Sequence, residues 1–291
     1  MIVIIGIAIV VIGVLGGFML HGGPLLVLLQ WNEFLIIGGA AVGSLLVGTP
    51  LPLLKQLVGS AASVLKGNRF TKQEYLNLLK TLFELFNNAK RDGLISIESH
   101  INEPAKSAIF SKNPFLMHHR HALSYLCDTM KLLLGGGVPA HDVEALLEAD
   151  HDSQNAEGAV GPGIVQKLGD ALPGLGIVAA VLGIVITMQA INGPPEEVGH
   201  KVAAALVGTF LGVLLSYGFV QPFATNLELL HHAEARYREC IKTAVVAFAK
   251  GNSPVVVVEF ARRVIFTDVR PTFEEVEQAV RSSRAPEEAK A

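Results

Sequence analysis

Charged side chains are absent from four long parts of this chain. Residues 1–20, 34–54, 172–191 and 202–222 contain no Asp, Glu, Lys, Arg or His. Each part is about as long as the ~20 residues with which an α-helix crosses the hydrocarbon core of a bilayer. Two such stretches in tandem are atypical of buried helices in soluble proteins. The sequence therefore predicts a mainly α, polytopic membrane protein with four transmembrane helices and a helical cytoplasmic domain.

Motifs of enzyme chemistry are absent as well. The chain has no glycine-rich phosphate loop followed by Lys and Ser or Thr, no HExxH and no GxSxG. Its two cysteines, Cys127 and Cys240, lie in predicted cytoplasmic segments, where thiols stay reduced, so no disulfide or metal framework is implied. The adjacent His118, His119 and His121 would point in different directions from a helix. We therefore expect no enzyme activity, no catalytic residues, no cofactor and no metal site, and the net charge of -3 argues against nucleic acid as a partner.

The basic residues indicate how the chain crosses the membrane. Of the 23 Lys and Arg, twelve lie in residues 55–167 and ten in residues 236–290, and only Lys201 lies elsewhere. By the positive-inside rule both blocks are cytoplasmic, and so are both termini. The predicted domains are a transmembrane hairpin (1–54), a cytoplasmic helical loop domain (55–169), a second transmembrane hairpin (170–222) and a cytoplasmic helical extension and tail (223–291).

Helix signals continue through the parts outside the spans. Thr71 with Glu74 forms a capping box, and the helix that it starts should end at Asp92 and Gly93. A second helix is predicted from Phe115 to Leu134. Residues 255–258 fit a helix or a strand, and Thr272 with Glu275 predicts the cap of a final helix.

Small residues and prolines distinguish the second hairpin. Small side chains recur every four residues and share one helix face on which another backbone can come close, at Ala204, Gly208, Gly212 and Ser216. Pro173 and Pro222 lie at the same side of the membrane in a hairpin. A proline lacks an amide donor, so it starts a helix or kinks it and leaves a carbonyl without a partner. Ordinary helix punctuation and a hinge are both compatible with this spacing.

Ion transport through the predicted spans would need a carboxylate from elsewhere. Membrane ion relays use Asp, Glu or His, and the spans contain none of these. A partner must therefore supply the ionisable group, while the spans themselves offer neutral side chains such as that of Thr209.

Three segments resemble the MotA family of flagellar motor stator subunits. They are GPGIVQKLGDALPGLGIVAAVLGIV (161–185), GTFLGVLLSYGFVQP (208–222) and KRDGLISIESHINEP (90–104). The resemblance runs over nearly the whole chain. It implies a bacterial inner-membrane stator in which five copies of this subunit surround two copies of MotB, whose membrane helix carries the ion-binding aspartate. Ion passage would turn the ring of five, which would act on the rotor protein FliG.

The resemblance also implies roles for individual residues. Pro173 and Pro222 match the two functional prolines of the family. The family's rotor contact is an arginine and a glutamate eight residues apart, to which Lys90 and Glu98 correspond, with Arg91 one position along; lysine keeps the charge and loses the planar fork of arginine.

The transported ion is predicted from two further positions. Sodium-driven members are similar to one another in having threonine where this chain has Ala180, and a methyl group cannot ligate sodium. Protons are therefore the expected ion, and Thr209 is the pore-facing hydroxyl.

Three alternatives remain at this point. An energising subunit of the ExbB or TolQ kind would also surround a partner helix, but those proteins have three spans and an N-terminus outside the cytoplasm. A sodium-driven stator differs only in the ion. A self-contained channel would have to bind its ion without a charged group in the membrane.

Overall fold

All regular elements in the described part of the chain are helices. The computed structural model describes residues 2–67, 69–189 and 191–288. The helices are α1 (Ile2–Leu20), α2 (Trp31–Gly48), α3 (Leu51–Lys66), α4 (Lys72–Asp92), α5 (Glu98–Asn102), α6 (Pro114–His118), α7 (Arg120–Gly135), α8 (Ala140–Gln189), α9 (Pro195–Leu215), α10 (Gln221–Ala249), α11 (Pro254–Arg263) and α12 (Phe273–Glu288). The mainly α prediction is confirmed.

In the described part of the chain, four helical segments are long and apolar enough to cross a membrane, as predicted. They are Ile2–Leu20, Leu25–Gly48, Ala140–Gln189 and Pro195–Ala249, of which the last two continue well beyond their apolar parts. The second of these consists of a short 3₁₀ helix, Leu25–Leu28, followed by α2. The predicted spans also include Met1 and Ala190, and the predicted tail includes residues 289–291; these lie outside the described residues.

The second span differs from its predicted bounds of 34–54. Its helix begins at Trp31, so that Glu33 lies inside it, and ends at Gly48. Thr49 is extended, with φ -138° and ψ 125°, because the ring of Pro50 disfavours a helical residue before it. The apolar residues that follow begin a separate helix, α3, at Leu51. The sequence stays apolar across this break between α2 and α3, which Pro50 causes.

The chain folds into two compact units. Unit 1 comprises residues 1–67 and 158–231, and unit 2 comprises residues 68–157 and 232–291. The predicted boundaries at 55 and 169 differ from these, since α3 and the residues from Gly158 onwards belong with the apolar helices of unit 1.

Unit 1 is held together by α2, α8 and α9. On α2 the buried residues are Glu33, Ile37 and Ala41, which are four apart and therefore share one face. Ile37 and Ala41 pack in a cluster with Leu172 and Ala179 of α8 and with Val207 and Leu211 of α9. By contrast, no residue of α1 is buried.

Unit 2 is built on α4. The hydroxyl oxygen of Thr71 accepts a hydrogen bond from the amide of Glu74 at 3.4 Å, and Gly93 ends the helix with φ 86°, so both predicted ends are confirmed. Nine residues of α4 are buried, and α11 and α12 pack against this helix. Residues 255–258 lie in α11, so the strand alternative is wrong.

Two further predictions concern unit 2. Thr272 and Glu275 bond reciprocally, at 2.7 and 3.2 Å, and confirm the final cap. The single helix predicted from Phe115 to Leu134 is wrong, because it is interrupted at His119. The imidazole rings of His118 and His119 contact the carbonyl oxygens of Pro114 and Phe115 where α6 ends.

Candidate ion pathway and proline junction

Helices α8 and α9 approach each other at glycines. A Cβ at Gly176 would lie 2.7 Å from the carbonyl oxygen of Gly208 and 3.0 Å from the Cα of Gly212. A Cβ at Gly212 would lie 2.6 Å from the carbonyl oxygen of Leu172. Real Cβ atoms do not come so near to backbone, so this pair of helices requires glycine at both positions. Such close packing is how membrane helices associate where lipid provides no hydrophobic drive.

The four small residues predicted to share this face have different surroundings. Gly208 and Gly212 are buried against α8, and Ala204 is half-buried and lines a cleft. Ala205, which the spacing did not indicate, lies against Gly183 of α8, where an added Cβ would be 2.8 Å from the alanine Cβ. Ser216 is fully buried and makes polar contacts.

Pro173 interrupts the hydrogen bonding of α8 at Gly169. In an α-helix the amide of residue 173 would donate to the carbonyl of residue 169, and proline has no amide hydrogen. The hydroxyl of Ser216 donates to this carbonyl instead, at 2.7 Å, in a fully buried position. A side chain 47 residues away therefore supplies the donor that Pro173 lacks.

Gln221 adds a second polar contact at the same place. Its side-chain amide donates to a carboxylate oxygen of Asp170 at 3.0 Å and to the hydroxyl oxygen of Ser216 at 3.2 Å. Gln166 donates to the same oxygen of Asp170 at 3.0 Å. We call Gly169, Asp170, Pro173, Ser216 and Gln221 the proline junction.

The chain makes a wider helical turn at this junction. Residues Ser216–Val220 form a π-helix, in which the amide of Gln221 donates to the carbonyl of Ser216 five residues earlier. Pro222 follows at once. A proline ring clashes with the carbonyl four residues before it in a regular α-helix, and a π turn is one way to relieve that clash. Both predicted prolines therefore interrupt helical hydrogen bonding, and the two interruptions contact each other through Ser216.

The two positions predicted to face the ion lie beside Gly208. Ala180 is 7% exposed, and its amide nitrogen would be 3.2 Å from a Cβ at Gly208. Thr209 is half-buried on α9. Within this chain, Ala180 is covered by α9.

The carboxylate of Glu33 also lies beside Gly208, and the sequence analysis did not identify this residue. The structure corrects the expectation that no span contains an ionisable group, because Glu33 is 6% exposed and a Cβ at Gly208 would be 2.5 Å from its Oε2. The spacing Glu33, Ile37 and Ala41 could have indicated that the glutamate shares the inward face of α2. The predicted span was defined as a stretch without charged residues, so it began at residue 34 and left Glu33 out.

The three residues predicted to meet the rotor are exposed in unit 2. Lys90 ends α4 together with Arg91, and Glu98 begins α5. The Lys90 ammonium donates to the carbonyl of Gly251 at a long 3.5 Å. The guanidinium of Arg91 binds the Asp92 carboxylate at 2.9 to 3.1 Å, and this hydrogen bonding lowers the pKa of Asp92 from its ordinary value. Between these charges Ile95 is 80% exposed.

Two family descriptions match the chain. Residues 4–93 match the family described as "Motility protein A N-terminal", and residues 119–239 match the MotA/TolQ/ExbB proton channel family. Over 286 residues the chain is 33% identical to Motility protein A of Salmonella typhimurium, with 98% of this chain and 97% of the relative covered. The chain belongs to the motility protein A family.

Solved structures agree with this membership. The chain is similar to the structure of C. jejuni MotAB, with a TM-score of 0.77, 20% identity, and coverage of 93% of this chain and 98% of that chain. It is similar to the flagellar MotAB stator complex from Bacillus subtilis, with a TM-score of 0.69, 24% identity, and coverage of 88% and 92%. These two likenesses show the fold.

As a member of the motility protein A family, the chain is a membrane protein and a proton-channel subunit of the flagellar stator. The proton channel match includes the entire proline junction, and the N-terminal match includes Glu33, Lys90 and Arg91. Among the described residues no group of three or more His, Cys, Asp or Glu could hold a metal ion.

Proposed function

We propose that this chain forms the ring of a proton-driven stator in the bacterial inner membrane, around a partner of the MotB kind. The partner helix supplies the carboxylate that binds the ion during transport. Ion passage then bends or turns the ring subunit at Pro173 and Pro222, and unit 2 acts on a rotor protein of the FliG kind. Both termini and unit 2 are cytoplasmic in this proposal, because 22 of the 23 basic residues lie in the two blocks 55–167 and 236–290.

The proline junction is the observation that carries this proposal. A hinge needs a place where helical hydrogen bonds are already absent and where a small set of contacts holds one arrangement. At Pro173 a helical hydrogen bond is absent, and the bond from Ser216 to Gly169 holds the observed arrangement. Ordinary helix punctuation would place the prolines at helix ends, whereas Pro173 lies well inside the 50-residue α8.

An exposed apolar face of α8 is evidence for the proposed ring of subunits and for the partner helix. Ile177, Val181, Val185 and Met188 are each at least 53% exposed, and they recur at helical spacing. An apolar stripe of this kind in a membrane is covered by lipid or by other helices. Five copies around a central partner would cover it on every subunit.

Swimming of a strain without its own stator, complemented with this chain and its partner, tests the proposal. We expect swimming that persists when sodium is removed and stops when a protonophore is added. Speed that follows sodium would favour the sodium-driven alternative. Absence of swimming, with both proteins present in the membrane, would favour an energising subunit of the ExbB or TolQ kind.

Pro173→Ala tests the hinge in the same strain. We expect normal amounts of the variant in the membrane and no swimming, because alanine restores the regular helix. Pro162→Ala is the matched control, since Pro162 also lies inside α8 but not in the proline junction. Equal swimming by the two variants would contradict the hinge.

A further inference from the structure

Glu33 is a buried carboxylate at the point where α2, α8 and α9 meet. A Cβ at Gly208 would be 2.5 Å from its Oε2, 3.1 Å from the Cβ of Ala179 and 3.2 Å from the amide nitrogen of Ala180. The carboxylate therefore occupies the space that the missing side chain of Gly208 leaves. Any larger residue at 208 would displace it.

The described residues leave this carboxylate incompletely paired. Its Oε2 is buried without a hydrogen-bond partner among them. A charged carboxylate in an apolar interior is strongly unfavourable unless it is paired. A proton, or a cation with water, removes this penalty. Ionisable groups inside membrane bundles are for this reason candidates for ion binding.

An open cleft lies about one helical turn before Glu33 along the chain and, on α9, about one turn before Gly208. The cleft, of about 570 Å³, is lined in part by Gln30 and Ala204. Gln30 precedes Glu33 by three residues and Ala204 precedes Gly208 by four. Between residues 172 and 189, α8 has no charged or titratable group, and on α9 such groups precede residue 202. The latter are Glu196, Glu197, His200 and Lys201, which also line the cleft.

We propose that Glu33 is a second proton-binding site of the channel, which receives protons from the cleft before they reach the partner's carboxylate. Its Oε2 forms an O–H bond with a proton from a hydronium ion, which leaves as water. That bond breaks when the proton passes to water or to the partner's carboxylate. The inference rests on the proton-driven function proposed above.

Chemical labelling tests proton binding separately from swimming. Dicyclohexylcarbodiimide is apolar and adds to protonated carboxyl groups. In the purified complex with its partner, we expect mass spectrometry to find the adduct on Glu33, in an amount that falls as pH rises. Exposed Glu157 serves as the internal comparison and should remain unlabelled. Absence of the adduct on Glu33 at every pH would overturn the inference.

Glu33→Gln tests whether the site serves transport. Glutamine keeps the size and hydrogen-bonding capacity of the side chain but cannot take up a proton. Removing a positioned acid or base typically lowers a rate by about 10²–10⁴-fold, but here the partner's carboxylate remains, so we expect about two- to fivefold slower swimming. The loss should increase as external pH rises, and Glu33→Asp should lose less.

Glu157→Gln is the matched control and should swim at wild-type speed. Wild-type speed of Glu33→Gln at every pH would overturn a role in transport. Failure of the stator proposal has a different signature: the wild-type complex itself would not swim, whereas labelling of Glu33 could still be measured.

Discussion

The Ser216 hydroxyl donates a 2.7 Å hydrogen bond to the carbonyl oxygen of Gly169, the carbonyl that Pro173 leaves without an amide donor. This relationship connects the two proline-containing segments within one chain. The Ser216 hydroxyl can be removed by mutation while both prolines stay in place.

Ser216→Ala should destabilise the protein by about 1–3 kcal/mol, because it leaves a buried carbonyl without a donor. Thermal unfolding of the purified complex in detergent measures this effect. Ser44→Ala is the control: the Ser44 hydroxyl donates to the carbonyl of Ala41 in its own helix, so its loss should stay within about 0.5 kcal/mol.

The effect of Ser216→Ala should depend on residue 173. Alanine at 173 provides the missing amide donor, so Ser216→Ala should be less destabilising in a Pro173→Ala background. We expect a coupling of about 0.5–3 kcal/mol between the two changes. Strictly additive effects would show that the Ser216 bond does not replace the donor that Pro173 lacks.

Gly176→Ala should weaken the contact between α8 and α9. The new Cβ would lie 2.7 Å from the carbonyl oxygen of Gly208, and we expect a loss of about 1–3 kcal/mol from overpacking. Gly174→Ala makes the same change two residues away, where nothing lies within 4 Å of the new Cβ. It should be neutral or stabilising by up to about 1 kcal/mol. The amount of each variant in the membrane and its thermal unfolding provide the comparison, and equal losses would contradict the glycine contact.

Stability of unit 2 should depend on pH through Glu259. Hydrogen bonds from Arg262 and Arg263 lower the pKa of Glu259 from 4.5 to about 2. Because the folded state holds the carboxylate ionised, the stabilisation is complete above about pH 4.5 and is lost as pH falls towards 2.

The variant Glu259→Gln isolates this pH dependence. Glu259→Gln should therefore be less stable by about 1.5–3 kcal/mol at neutral pH, and the difference should shrink on acidification. Hydrogen exchange in α11 and α12 measures this difference. Glu277→Gln, which breaks an exposed pair with Arg281, is the control. A difference that grows at low pH would contradict this assignment.

Charge reversal tests the exposed residues of the proposed rotor contact. Arg91 is held by Asp92, so Lys90→Glu should slow swimming more than Arg91→Glu does. Each exposed pair contributes only about 0–1 kcal/mol, so single reversals should slow swimming and the double reversal should stop it. Lys106→Glu, at another exposed lysine of unit 2, should swim normally. Normal swimming of the double variant would count against this surface.

Features that depend on local order could be predicted from the sequence. The caps at Thr71 and Thr272 and the stop at Gly93 depend on residues at most three positions apart, and the structure confirms them. Apolar length likewise indicated the four membrane helices, since length and hydropathy are properties of continuous segments. The second span was wrong at both ends because composition does not show the extended Thr49 before Pro50 or the helical residues before Phe34.

Tertiary structure alone decided which groups meet in the membrane unit. The sequence determined that Pro173 leaves a carbonyl without a donor, because proline has no amide hydrogen. It did not determine that Ser216, 47 residues after Gly169, supplies that donor, or that Gly208 leaves space for the carboxylate of Glu33. Both contacts depend on how closely and in what rotation the helices pack, and the spacing of residues within one helix does not specify either.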